Sequence, residues 1–135
     1  MRRTDPIPPE DFGSQAIILD VNALMSPFQM GINIDLELSK VVPERVPVVP
    51  MSVVRELESL IEKGNDWKPR AALELSTRYQ RIDIRGKGDA PIFNLAVRMS
   101  WPVMTMDRRL RKKLIERGIQ VVFIRGKSHL ELLDP

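Results

Sequence analysis

Short apolar runs and helical stripes alternate along most of this chain. Ala16-Ile17-Ile18-Leu19 is an uninterrupted apolar run whose length and branching predict a buried strand. Val46-Val48-Val49, punctuated by Pro43, Pro47 and Pro50, predicts a second strand. Arg81-Ile82-Asp83-Ile84 predicts a third, Pro102-Val103-Met104-Thr105 a fourth and Val121-Val122-Phe123-Ile124 a fifth. From the second strand onward, apolar positions at helical spacing fill the gaps. The stripes are Val53, Leu57, Leu60 and Ile61; Ala71, Ala72, Leu75 and Tyr79; Ile92, Leu95, Ala96 and Met99; and Leu110 with Leu114, closed by Gly118. Residues 32–38 alternate with period two, yet Ile34, Leu38 and Val41 also fit a helix, so the pattern alone leaves them open. Short apolar strands alternating with helices predict an α/β domain with a largely parallel sheet covered on both faces. Residues 1–15 hold three prolines, a glycine and, as large apolar groups, Ile7 and Phe12. They read as a flexible tail before a domain spanning 16–135.

The length of 135 residues and a hydrophobic share of 43% suit one packed domain. Cysteine is absent and His129 is the lone histidine, which removes disulfides, thiolate-bound metal and Ser-His-Asp chemistry. Carboxylates remain as candidate catalysts. No apolar run is long enough for a membrane span, and the first residues lead into prolines rather than a signal-peptide core, so a cytoplasmic protein away from membranes is expected. The net charge of +3 is unevenly spread: Thr105 to Lys127 carries eight Lys/Arg against Asp107 and Glu116. Such a basic segment is either a solvated helix face or the footprint of a polyanion.

In open α/β sheets, ligands sit beyond the carboxyl ends of the strands. Asp20 closes the first strand there, Asp107 follows the fourth, and Asp89 follows the third through Arg85-Gly86-Lys87-Gly88. Glu56 lies in the first turns of the helix after the second strand. Counting from Val53, Ile92 and Leu110 puts Glu56, Asp89 and Asp107 on the buried faces of their helices. Singly, an Asp at a helix start is an N-cap and one at a strand end a turn former. Together, four carboxylates at one edge repel one another, and no Lys or Arg in the sequence is evidently placed to neutralise them. Oxygen ligands alone suit Mg²⁺ or Mn²⁺, and one or two such ions would activate water and stabilise a leaving oxygen in phosphoryl transfer.

These segments resemble the motifs of PIN-domain nucleases. Ile17-Ile18-Leu19-Asp20-Val21-Asn22-Ala23-Leu24 resembles the opening strand motif, Val53-Val54-Arg55-Glu56-Leu57 the second, Gly86-Lys87-Gly88-Asp89-Ala90-Pro91-Ile92 the third and Thr105-Met106-Asp107-Arg108-Arg109-Leu110 the fourth. Asn22 to Gln29 and the ending Ile124-Arg125-Gly126-Lys127 look most like small stand-alone archaeal members, similar to the PIN nuclease of small-subunit ribosomal RNA processing. The resemblance implies a three-layer α/β/α sandwich and a helix over residues 33–42. It implies Asp20, Glu56, Asp89 and Asp107 as catalytic, metal-holding residues, with Asn22 and Thr105 as polar supports. Val21, Ala90 and Met106 depart from the family pattern of Thr, a second Asp and Asn.

The activity expected is metal-dependent endoribonucleolytic cleavage of structured RNA in ribosomal RNA maturation. The alternatives are a VapC-like toxin ribonuclease and a PIN-like module that binds RNA without cutting it. A phospho-accepting receiver domain fits poorly, since Ser14-Gln15 stand before the first strand and no acid pair follows it. Lys87, Arg108, Arg111, Lys112, Arg125 and Lys127 are the candidate RNA contacts. Partners compatible with these readings are a second copy of the chain, a ribosome-assembly factor or an antitoxin.

Overall fold

The computed structural model describes residues 2–135. Six strands form one sheet: β1 (Ala16–Leu19), β2 (Val46–Pro50), β3 (Gln80–Ile82), β4 (Val103–Met104), β5 (Val121–Arg125) and β6 (His129–Leu133). Their spatial order is β3-β2-β1-β4-β5-β6, with every pairing parallel except β5 with β6. The helices are α1 (Val21–Met30), α2 (Ile34–Val41), α3 (Met51–Lys63), α4 (Lys68–Ser76), α5 (Ala90–Met99) and α6 (Arg108–Glu116). The chain first winds outward from β1 to β3, then returns to lay β4 on the other side of β1. Right-handed crossovers must then put the earlier helices on one face and the later ones on the other. The packing agrees: α4 lies against α1 and α3, whereas α5 packs on α6. This is the expected α/β sandwich. The direction of winding reverses between β1 and β4, which opens a crevice at their carboxyl ends.

β1 reads as a solid apolar run because both its faces are covered, and all four of its residues have no exposed surface. β3 is displaced by one residue or more from the alternating stretch that predicted it, ending at Ile82. Residues 34–41 are helical, and Asn33 caps them by accepting from the Leu36 N–H at 3.1 Å. Two elements have no counterpart in the sequence reading, α1 and β6. α1 carries Pro27 inside it, which deprives the Ala23 carbonyl of its helical donor. The Ser26 hydroxyl donates to that carbonyl at 2.6 Å and keeps it satisfied inside the core.

The segment before β1 differs from the free tail that its composition suggested. The Ile7 backbone bridges Ile82 in parallel, donating to the Arg81 carbonyl at 3.1 Å and accepting from the Asp83 N–H at 2.8 Å. A short 3-10 turn at Pro9–Asp11 buries Pro9, and Phe12 meets Trp101 edge-on with ring centroids 5.9 Å apart. Ile7 and Phe12, the large apolar groups noted in the sequence, are the residues that anchor it. They cover β3's outer edge and the end of α5, both of which would otherwise lie open. Among the described residues no helix is long and apolar enough to cross a membrane.

Candidate active site

Asp20 follows β1 directly and serves as the N-cap of α1, its Oδ1 accepting from the Val21 N–H at 2.7 Å. Its Oδ2 accepts from the Thr105 hydroxyl at 2.7 Å and from Asn22 Nδ2 at 3.4 Å. Thr105 is fully buried at the end of β4, and its oxygen accepts in turn from the Asp107 N–H at 3.1 Å. Asn22 Oδ1 accepts from the Met106 N–H at 2.9 Å. Asn22 and Thr105, the two polar supports expected from the sequence, both donate to the Asp20 carboxylate. They tie the ends of neighbouring strands β1 and β4 into one network around a single carboxylate.

The other three acids reach the same place from separate elements. Asp20, Glu56, Asp89 and Asp107 all line one cavity of about 340 Å³, together with Val21, Asn22 and Gly88. Burial pushes the Asp20 carboxyl above its ordinary value. Its Thr105 and Val21 hydrogen bonds pull it back down, while the charges of Asp107 and Asp89 add to the rise. Glu56 is also pushed up, by desolvation first and then by Asp20. Water still reaches Glu56, so the energetic consequence there is small.

The placement of the three helical acids corrects the expectation drawn from phase counting. Glu56 and Asp107 are exposed, and Asp89 is half-buried. α3 buries Ser52, Val53, Val54 and Leu57, which puts Glu56 roughly a quarter-turn around from the centre of that face. It occupies the flank that overlooks the crevice. Asp107 does cap its helix, with Oδ1 accepting from the Arg109 and Leu110 N–H groups, and its other oxygen makes no such bond. Asp89 stands at the start of α5 without making a side-chain cap. A cationic side chain is present after all: Lys113 Nζ from α6 lies 3.9 Å from Asp89 Oδ2, an open pair with no signal in the sequence. No ion pair reaches Asp20, Glu56 or Asp107 among the described residues.

An all-oxygen donor set of four carboxylates, with Lys113 as the one cation paired to it among the described residues, fits a hard divalent cation in kind. Among the described residues no three acids stand close enough to form a ready-made metal cluster.

The candidate RNA contacts divide in two. Arg108, Arg111 and Arg125 line a groove of about 620 Å³ next to the acidic cavity, with Met106 and Phe123. Lys112 and Lys127 are exposed outside its lining, and Lys87 is exposed in the loop that delivers Gly88 and Asp89. Met106, which departs from the family pattern, is used structurally. Its sulfur accepts from the Ile124 N–H at 3.3 Å, joining the β4–α6 turn to β5. Arg55, not singled out in the sequence, donates to the Ile84 carbonyl at 2.7 Å and steadies the start of the Asp89 loop.

A parallel sheet whose winding reverses beside an acid-lined cavity, with helices on both faces, defines an α/β domain of the PIN-like class. The sequence matches the family described as "PIN like domain" over residues 17–127, and the chain belongs to that family. It is 27% identical over 124 residues to Ribonuclease VapC4 of Methanocaldococcus jannaschii, covering 86% of this chain and 95% of that protein. It is 28% identical over 92 residues to Ribonuclease VapC9 of Archaeoglobus fulgidus, covering 64% and 68% respectively. Its fold superposes on the structure of the PIN domain endonuclease Utp24 with a TM-score of 0.75, covering 89% of this chain and 92% of that one at 22% identity.

Proposed function

We propose that this chain is a Mg²⁺- or Mn²⁺-dependent endoribonuclease that cuts structured RNA in ribosomal RNA maturation. The observation that carries the reading is the arrival of Asp20, Glu56, Asp89 and Asp107, from four separate segments, at one cavity. Two ribonuclease relatives and the fold of a PIN endonuclease support the same chemistry. The four carboxylates are the residues that would hold the ion, which when bound supplies a Lewis acid for phosphodiester hydrolysis. The chain's own contribution is arrangement. Thr105 and Asn22 fix the orientation of the Asp20 carboxylate, and the Thr105 hydroxyl also sets the turn that presents Asp107. The arginines of the neighbouring groove supply the positive surface on which an RNA backbone rests.

The test is incubation of a folded ribosomal RNA precursor fragment with the protein and millimolar Mn²⁺ or Mg²⁺. Cleavage at discrete positions is expected, falling by orders of magnitude in Asp20→Asn. A wild-type protein that binds the fragment and leaves it intact in both metals would instead be a non-cleaving RNA-binding module. The 27% identity to a VapC ribonuclease over 95% of its length favours one second reading, a toxin neutralised by an antitoxin protein. Induced expression separates the two. A toxin arrests growth as wild type and not as Asp20→Asn, whereas a maturation enzyme leaves growth intact and cuts the precursor.

A further inference from the structure

Arg111 holds its guanidinium 4.7 Å above the centroid of the Phe123 ring, and Arg125 lies 5.4 Å from the same ring. The two differ in charge balance. Arg125 is paired through Nε and Nη2 with both oxygens of Glu131, at 2.8 and 3.2 Å. Arg108 and Arg111 make no ion pair among the described residues. All three arginines line the groove of about 620 Å³, within the range of roughly 300–1,000 Å³ that holds a small organic ligand. Met106 and Leu133 give the same groove an apolar side. Its wall is shared with the acidic cavity: Asp107 faces the cavity, while Met106 and Arg108 on either side of it line the groove.

We propose that this groove, between α6 and the β5–β6 pair, is a subsite for one unpaired nucleotide flanking the phosphate to be cut. The inference rests on the nuclease reading above and adds what that reading does not specify, the residues that would hold a base beside the cut. Arg108 and Arg111 have charge free for a phosphate. The Arg111 guanidinium lies over Phe123 and lines the groove, and guanidinium planes are stacking partners for splayed-out RNA bases. A base held in a helical stack has no free face to offer Arg111. A purely electrostatic surface would bind duplex and single strand alike, through phosphates alone. A protein partner of ordinary apolar chemistry would have to bury two unpaired arginines, which is costly.

The experiment measures fluorescence anisotropy of a labelled ten-nucleotide single-stranded RNA and of its duplex, in EDTA so that nothing is cut. Single strand is expected to bind the wild type more tightly than duplex does. Arg111→Lys keeps the charge and removes the plane. It should weaken the single strand about tenfold, the scale of one lost stacking contact, and leave the duplex unchanged. An equal loss for both forms, or no loss for either, overturns the subsite. So does a concentration-dependent dimer abolished by Leu133→Glu without effect on RNA binding, which would give the groove to a second copy. Phe123→Leu, which preserves the apolar floor, should reproduce the selective loss. Binding is read without metal or turnover. A protein that binds in this pattern and never cuts would end the nuclease reading while the subsite stands, and the reverse result would do the opposite.

Discussion

The Thr105 hydroxyl donates to Asp20 Oδ2 at 2.7 Å while its oxygen accepts from the Asp107 N–H at 3.1 Å. One buried side chain thus fixes two of the four acids, across the junction of β1 and β4. Thr105→Val removes both contacts with little change of volume. Loss of the hydroxyl donor from the buried Asp20 carboxylate, together with the acceptor of the Asp107 N–H, should reduce stability by about 1–3 kcal/mol. Because the Thr105 bond is what most lowers the Asp20 carboxyl against its burial, losing it should raise that group further. If cleavage needs the ionised carboxylate, the acid limb of the kcat/KM pH profile moves to higher pH in Thr105→Val and stays in place in Thr105→Ser. An unmoved limb in the valine variant would show that Thr105 serves the fold alone.

That network was only partly legible in the sequence. Asp20, Asp89 and Asp107 announce themselves because each follows a strand or opens a helix, and parallel topology gathers such positions at one edge. β1 was legible because burial on both faces writes a continuous apolar run, and β2 and β5 because their buried residues, Val48 to Pro50 and Val121 to Phe123, stand side by side. α1 was not, because Pro27 looks like a breaker and the Ser26 hydroxyl that repairs the helix is visible only in three dimensions. β6 pairs at the sheet's edge with Leu130 as its one buried residue, flanked by His129 and Glu131, too weak an alternation to stand out. The exposure of Glu56 escaped phase counting because one quarter-turn separates a core position from a crevice-facing one. The Lys113–Asp89 pair joins two helices adjacent in space and remote in sequence, which no local pattern encodes.

The loop before Asp89 depends on one glycine more than the other. Gly86 has φ +104°, and a Cβ there would come within 2.8 Å of Pro91 Cγ, in the first turn of α5. Gly88 has φ +75° with nothing within 4 Å of where its Cβ would be. Gly86→Ala should therefore cost about 1–3 kcal/mol and shift the start of α5, taking Asp89 with it. Gly88→Asn, a residue tolerant of left-handed backbone, should stay within about 1 kcal/mol of the wild type. Urea unfolding midpoints of the two variants decide this, and equal losses would contradict it.

The N-terminal segment is expected to behave as part of the domain. Phe12 is half-buried against Trp101, so Phe12→Ala should cost about 1–2 kcal/mol, less than the roughly 3–5 kcal/mol of a fully buried Phe. Removing residues 2–12 should lower the Tm further, since it also strips the Ile7 backbone from β3. A truncated protein melting with the full-length chain would restore the tail that composition suggested.

Asp20→Asn separates a functional carboxylate from a structural one. Asn keeps an acceptor for the Val21 N–H and offers an amide to the Thr105 oxygen, so shape and capping survive while one charge leaves the cavity. The wild-type carboxyl is raised from its ordinary value of 3.8, chiefly by burial. The folded state therefore holds this proton more tightly than the unfolded chain. The penalty for ionising it is absent below the ordinary value, grows as pH rises through the window up to the raised value, and is complete above it. In EDTA at neutral pH the Asn variant, free of that penalty, should be as stable as the wild type or more so, the common trade-off at sites shaped by function. It should also lack the wild type's loss of stability across that window. Millimolar Mn²⁺ should raise the wild-type Tm by an amount set by RT ln(1 + [L]/Kd) and raise that of the variant less. A carboxylate present only as an N-cap predicts the reverse, a variant less stable by about 1 kcal/mol in EDTA and a wild type indifferent to Mn²⁺. Thermal unfolding of both proteins across pH, with chelator and with metal, distinguishes the two, and the second pattern would remove the case for Asp20 as a metal-holding residue.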